Sequence, residues 1–219
     1  MGLGSWFRSG PPVLAPKEAY ARWAPTYAST PHNALMAAEQ AAVLAAWPDV
    51  AGQRVLDAGC GTGRYLAAAA ARGAAMLVGV DFSPEMLTRV TSPGAHRLLG
   101  DLGALPVASA SMDLVASGLA LNDVPDLGQA VAELARVLRP RGTLVYSVVH
   151  PRGGDLGWTR GFTAAGVNAA VRGCWHPVAE HERACVSARL LVDLRLDVTS
   201  TQSPDGGPVA LVVRARKAA

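Results

Sequence analysis

The chain has 219 residues, of which half are hydrophobic, 5% are aromatic and 17% are charged, with a formal net charge of +3. That length and apolar content can bury a full core and exclude a disordered or fibrous chain. The small charge comes with no run of basic residues, even in the Arg-richer stretch after Arg139, so it leaves no electrostatic footprint for nucleic acid.

Residues 1–16 are rich in Gly and Pro and read as a loose tail. A helical region is predicted around Lys17–Tyr27, and a second helix over Leu35–Trp47 after the break "STPH". Val55–Ala58 reads as a buried first strand, followed by a helix over Tyr65–Arg72. "MLVGVD" (Met76–Asp81) is a continuous apolar run, as in a strand covered on both faces. Ser83, Pro84 and Glu85 then start a helix as N-cap, first residue and first-turn acid, which is predicted to run to about Val90. A short strand at Ala95–Leu99 ends at Gly100-Asp101. A fourth strand is predicted at Met112–Ser117, an amphipathic helix at Leu127–Leu138, and a fifth strand at Thr143–Val149. His150–Cys174 breaks the rhythm and is long, glycine-rich and unassigned. A helix over Val178–Leu191 and two strands, "LRLDVTS" and Val209–Ala215, joined by "SPDGG", complete the chain. Such alternation predicts an α/β fold: a doubly wound, mostly parallel sheet with helices on both faces. No internal repeat or second domain is visible. The expected organisation is one domain: a tail and helical cap over 1–50, a core over 51–150, a loop or lid over 151–176, and a closing helix and strands over 177–219.

Cys60, Cys174 and Cys185 are far apart and form neither a CxxC zinc pair nor a disulfide framework. No metal site is expected. No segment approaches the roughly 20 apolar residues of a membrane span. Met1–Tyr20 lacks the continuous apolar stretch of a signal peptide. A cytoplasmic protein without a membrane partner is the expectation.

"VLDAGCGTGRY" (Val55–Tyr65) carries the chemistry. Gly59, Gly61 and Gly63 make G-x-G-x-G after a strand, and Arg64 stands where a dinucleotide fingerprint has its third glycine. A phosphate-binding P-loop is also absent. Glycine turns occur in α/β folds without any ligand, so the acids around the loop decide the matter. Asp57, Asp81 and Asp101 sit at the ends of three successive strands. Like charges there repel a pyrophosphate and suit a ligand with a ribose, an amino group and a positive centre.

From Tyr20 to Ala215 the sequence resembles the class I S-adenosylmethionine-dependent methyltransferases, in the small-molecule branch that includes quinone-biosynthesis enzymes. The resemblance rests on "YARWAPTY", "VLDAGCGTGRY", "VGVDFSPEML", "GDLGALPVASASMDLV" and "ELARVLRPRGTLVYSV", in the family's order and spacing. It implies a Rossmann-like seven-stranded sheet whose last strand is antiparallel, and S-adenosylmethionine as cofactor. Gly59, Cys60, Gly61, Thr62 and Gly63 would wrap the methionine part and ribose, with Asp57 near the ammonium group. Asp81 would hold the ribose hydroxyls, and Phe82 and Met86 would lie against adenine. Asp101 would accept from the adenine amino group beside the Leu102 backbone. Ser117–Leu119 would line the reactive end, and Tyr27 and Arg64 would serve the methionine carboxylate.

Methyl transfer to oxygen, nitrogen or carbon of a small metabolite is then the expected reaction, with a general base where the acceptor needs one. The candidate bases are His150, directly after the fifth strand, His176 in "CWHP", and Asp123 after the fourth strand. His181 reads as a helix-face residue, and His32 and His96 as surface residues. Trp158, Phe162 and Trp175 suit a planar or apolar acceptor, while Arg152, Arg160 and Arg172 suit an anionic one. Each equally suits anchoring of the loop. Other readings are a protein that binds the cofactor without transferring its methyl group (a sensor, scaffold or helper subunit), and a nucleic-acid or protein methyltransferase. The last lacks support from an [ND]-P-P-[YFW] motif, since the chain has "NDVP" there. A nicotinamide dehydrogenase is disfavoured by Arg64 and the three acids.

Overall fold

The computed structural model describes residues 11–219 apart from 202 and 204. A two-residue strand β1 (Val13–Leu14) and helix α1 (Pro16–Trp23) lead through a 3₁₀ turn (Ala24–Thr26) to α2 (Ala34–Ala46). Then follow β2 (Arg54–Ala58), α3 (Arg64–Ala71), β3 (Met76–Asp81), α4 (Pro84–Leu87), β4 (His96–Leu99) and β5 (Met112–Gly118). After a 3₁₀ turn (Leu121–Asp123) come α5 (Leu127–Val137), β6 (Leu138–Val149), α6 (Arg152–Asp155), β7 (Arg160–Ala164), β8 (Val167–Val171), α7 (Val178–Ser187), β9 (Leu190–Thr199) and β10 (Pro208–Lys217).

The main sheet has the order β4-β3-β2-β5-β6-β10-β9. The pairs among β2 to β6 are parallel, and β10 runs antiparallel to both β6 and β9. The chain reverses its direction of travel across the sheet between β2 and β5. In open α/β sheets this is where the carboxyl ends of the strands leave a crevice for a ligand.

Each sheet face has its own core. One is closed by α5 and α7 and holds Leu56, Val115, Leu134, Tyr146 and Leu211. The other is closed by α2 and α3 and holds Val43, Val55, Leu66, Leu114 and Val145. Helix α5 shows why the pattern works: Leu127, Ala130, Val131 and Leu134 fall at i, i+3, i+4 and i+7 and are all buried. Each buried leucine stabilises by about 2–3 kcal/mol, and Asp126 caps the helix by accepting from the Gln129 N–H.

Several boundaries differ from expectation. α4 stops at Leu87, three residues early, where β-branched Thr88, Val90 and Thr91 and then Pro93 disfavour helix. α7 stops at Ser187: Arg189 takes a left-handed φ of 57° and the buried Leu190 opens β9. The fifth predicted strand begins five residues early, at Leu138, so "RPRG" lies inside β6.

The tail expectation for residues 1–10 lies outside the described residues, but Val13–Leu14 is a strand. It pairs in parallel with β8, which pairs antiparallel with β7. The unassigned segment is thus partly a hairpin. Its two-residue turn is Ala165-Gly166, both left-handed at φ 50° and 76°, as such tight hairpin turns require. This small sheet joins α1 through a third apolar cluster of Ala19, Phe162, Ala164, Ala169 and Val171. The N-terminal segment and the lid segment therefore form one cap over the carboxyl edge of the main sheet.

Candidate active site

β2 runs into a loop in which Gly59, Gly61 and Gly63 take φ of 74°, 53° and 86°, a region costly for other residues. A Cβ on Gly59 would stand 2.3 Å from the Ala120 Cβ, so the loop lies directly on the chain leaving β5. Gly63 is the N-cap of α3.

The three strand-end acids have different surroundings. Asp57 lies beneath the loop, 1% exposed, and among the described residues neither carboxyl oxygen has a partner in hydrogen-bond geometry. Burial pushes its pKa up to about 7, against the pull of the Arg64 guanidinium. Asp81 accepts from the Gly61 N–H at 2.7 Å and the Ser83 N–H at 2.9 Å, which clamps the loop to the end of β3. Its pKa is also raised by burial. Asp101 is exposed and accepts from the Gly103 N–H at 2.8 Å.

A cavity opens along this edge, lined by Gly59, Gly61, Asp81, Phe82, Met86, Asp101 and Leu102, with Tyr27, Leu119 and Asp123 on the far side. A larger one, about 460 Å³, adjoins it and shares Tyr20, Tyr27 and Leu119. Trp23, His32, Trp158, Arg160 and Trp175 contribute to its wall. Leu119, at the junction, holds a left-handed φ of 60°.

The remaining expected cofactor residues lie behind the wall. Cys60 is buried with its thiol toward the Gly61 carbonyl at 3.7 Å, and its pKa is raised well above the usual value by burial. Thr62 is buried and donates to the Ala28 carbonyl at 3.2 Å, tying the loop to the cap. Ser117 is fully buried, and its hydroxyl has no hydrogen-bond partner among the described residues. Arg64 stacks on Tyr65 at 4.4 Å, with its Nη2 2.8 Å from the Glu39 carboxylate. A Cβ on Gly118 would stand 2.2 Å from Tyr65 Cε2 and 2.9 Å from Arg64 Nη2. Gly118→Ala should therefore lower stability by about 1–3 kcal/mol. A thermal melt unchanged from wild type would mean that Tyr65 swings aside without cost.

The candidate bases are not gathered at one point. Asp123 faces the cofactor cavity, but its carboxylate is ion-paired with Arg160 and accepts from the Tyr20 hydroxyl at 3.0 Å. His150 lines neither cavity, and its Nε2 faces Asp197 on β9 at 3.3 Å. His176 also lines neither; its ring nitrogens meet Glu180 at 3.0 Å and the Val124 carbonyl at 2.8 Å. His181 is buried against Tyr146 rather than lying on a free helix face, and burial pushes its pKa down to about 4. His32, read as a surface residue, is exposed but stands on the rim of the larger cavity. Phe162 stacks on Trp23 at 4.8 Å within the cap, whereas Trp158 and Trp175 face the larger cavity.

Sequence reasoning missed Tyr20 and Glu39. Glu39 had a readable signal: with Met36, Val43 and Ala46 it falls on the buried stripe of α2, where a charge needs partners.

An orphaned buried carboxylate under a glycine loop, a second acid at the end of the next strand, and two glycines without room for a Cβ fit a cationic ligand with a ribose. Residues 56–146 match the family model described as "Methyltransferase domain". The chain is 38% identical over 146 residues to a malonyl-[acyl-carrier protein] O-methyltransferase of Enterobacter lignolyticus, covering 64% of this chain and 56% of that protein. It is likewise 38% identical over 114 residues to the protein of that name from Methylovorus, covering 47% of this chain and 38% of the relative. The chain thus spans about two fifths to just over half the length of these curated relatives. A solved S-adenosylmethionine-dependent methyltransferase from Mesorhizobium loti superposes with a TM-score of 0.70 at 26% identity, covering 82% of this chain and 98% of that one.

Among the described residues, no helix is long and apolar enough to cross a membrane.

Proposed function

We propose that this protein transfers the methyl group of S-adenosylmethionine to an oxygen atom of a small or carrier-bound metabolite. The observation that carries this reading is the pair of cavities meeting at Tyr20, Tyr27 and Leu119, one against the glycine loop and its acids, the other walled by aromatics. In this reading Asp57, beneath the glycine loop, would accept from the ammonium group, Asp81 from the ribose hydroxyls, and Phe82 and Met86 would cover the purine. The cofactor supplies an activated methyl group on a sulfonium, with a neutral thioether as leaving group. The chain's share of the work is then largely positioning, which contributes up to roughly 10⁵–10⁸ M of effective molarity in good cases.

Oxygen as acceptor is supported by the two curated relatives, which are named as O-methyltransferases acting on a malonyl group carried by a protein. A carboxylate is a sufficient nucleophile without a base. This agrees with Asp123, His150 and His176 each being engaged elsewhere. A thermal melt with S-adenosylmethionine, S-adenosylhomocysteine and NAD tests the cofactor. Ligand at 100 times its dissociation constant adds about 2.7 kcal/mol, several degrees for a chain this size. A shift with NAD alone overturns the reading. Release of S-adenosylhomocysteine with a panel of carboxylates, phenols and amines separates transfer from binding alone.

A further inference from the structure

Glu39 is fully buried in α2, yet its side chain reaches three other elements. Its Oε1 accepts from the Tyr65 hydroxyl at 2.7 Å and from the Ser147 hydroxyl, and its Oε2 stands 2.8 Å from Arg64 Nη2. The next residue, Gln40, accepts from the other Arg64 terminal nitrogen at 3.3 Å. Arg64 and Tyr65 begin α3, directly after the glycine loop, and the guanidinium presses on the Gly118 backbone. Ser147 lies on β6, where its hydroxyl accepts from the Leu119 N–H at 3.1 Å. A hydrogen-bonded chain therefore runs from Leu119 through Ser147 to Glu39, and a second contact runs from Glu39 to Arg64.

A buried carboxylate costs several kcal/mol of desolvation, and an apolar side chain of similar size often serves packing as well or better. Packing therefore gives no reason for an acid on this stripe. Its contacts do give one, because both ends of the network reach the cofactor edge of the sheet. Leu119 holds a left-handed backbone conformation that costs about 1–2 kcal/mol outside glycine, and its N–H is shared between the Ser147 hydroxyl and the Ser147 backbone carbonyl, the latter at 3.0 Å.

We propose that Glu39 is a positioning residue of the cofactor site. It aims Arg64 at the carboxylate of the bound methionine group. This rests on the methyltransferase reading above. The Glu39–Arg64 pair is neutral and pre-formed, so the guanidinium meets its anionic ligand already oriented. Arg64 then has donors on one side for α2 and on the other for the ligand, as the planar fork of an arginine allows.

Calorimetric titration with two probes tests this: S-adenosylhomocysteine, and methylthioadenosine, which keeps the adenosine but has neither carboxylate nor ammonium. Glu39→Gln should weaken S-adenosylhomocysteine by about tenfold or more and leave methylthioadenosine within about twofold. Combining it with Arg64→Met should weaken S-adenosylhomocysteine no further than Arg64→Met alone, since Glu39 acts through Arg64. Equal weakening of both probes, losses that add in the double variant, or unchanged affinity with only a lower melting temperature would each overturn the proposal. Should Glu39→Gln fail to fold, Glu39→Met removes the buried charge at similar volume and carries the same expectations. Wild-type protein that binds neither probe would instead overturn the methyltransferase reading itself.

Discussion

Asp81→Ala should raise the dissociation constant for S-adenosylhomocysteine by about 100-fold, the largest single loss expected in the site. A hydrogen bond to a charged group contributes about 1.5–3 kcal/mol, and in the proposed reading this carboxylate, at the end of β3, takes two from a ribose. Its two oxygens already hold the Gly61 and Ser83 N–H groups. The substitution therefore also releases the loop from the strand, and the unliganded protein should lose about 1–3 kcal/mol. The two effects separate by experiment: a thermal melt without ligand reads the clamp, and calorimetry on the folded variant reads the binding. Asp101→Ala is the comparison. That carboxylate is exposed and, among the described residues, bonded only to Gly103 within its own turn, so its removal should weaken binding by several-fold at most. Wild-type affinity in Asp81→Ala would show that the ribose lies elsewhere.

The prominence of Asp81 was legible in the sequence because a strand end fixes a side chain's place. The apolar run "MLVGVD" sets where β3 stops, and its last residue must stand at the carboxyl edge. The same reasoning located Asp57, Asp101 and the glycine loop. It did not give the side to which His150, one residue past β6, would face. Successive side chains along an extended chain point to opposite faces; Val149 faces the larger cavity, so His150 turns to Asp197. Strand ends give position along the sheet, and register alone gives the side. The cap escaped for a different reason. β7 and β8 are short, and Ala, Gly and Asn make up half of their residues, which dilutes the signal of Phe162, Thr163, Val167 and Val171. The partners of Tyr20 and Glu39 lie 103 and 108 residues away in sequence, at Asp123 and Ser147, and no local pattern encodes such contacts. A lone acid on an apolar stripe was the only trace they left.

Asp57→Asn is expected to stabilise the protein while impairing its site. Burial pushes the wild-type carboxyl from its ordinary 3.8 up to about 7, against the pull of the Arg64 guanidinium. Between those values the folded state holds a proton that the unfolded state releases. Stability therefore falls as pH rises from about 4 to about 7 and is level above that. By pH 8 the buried charge costs roughly 2–4 kcal/mol. Asparagine never ionises, so the variant without ligand should melt roughly 5–15 °C higher than wild type at pH 8, with the gap narrowing as pH falls and closing near pH 4. Ligand affinity should move the opposite way. An ammonium group pairs with the ionised form, so wild-type affinity for S-adenosylhomocysteine should rise about tenfold per pH unit up to pH 7 and then flatten. Binding at pH 6 should release close to one proton, measurable by calorimetry in two buffers of different ionisation enthalpy. The asparagine variant should bind about 10- to 100-fold more weakly at pH 8 and lose this proton release. A variant that melts lower than wild type at pH 8, or that keeps the pH-dependent affinity, would show that Asp57 is paired within the fold. If instead stability rises as binding falls, the residue is held in an unfavourable state that its ligand relieves, as expected for a site built to receive a positive charge.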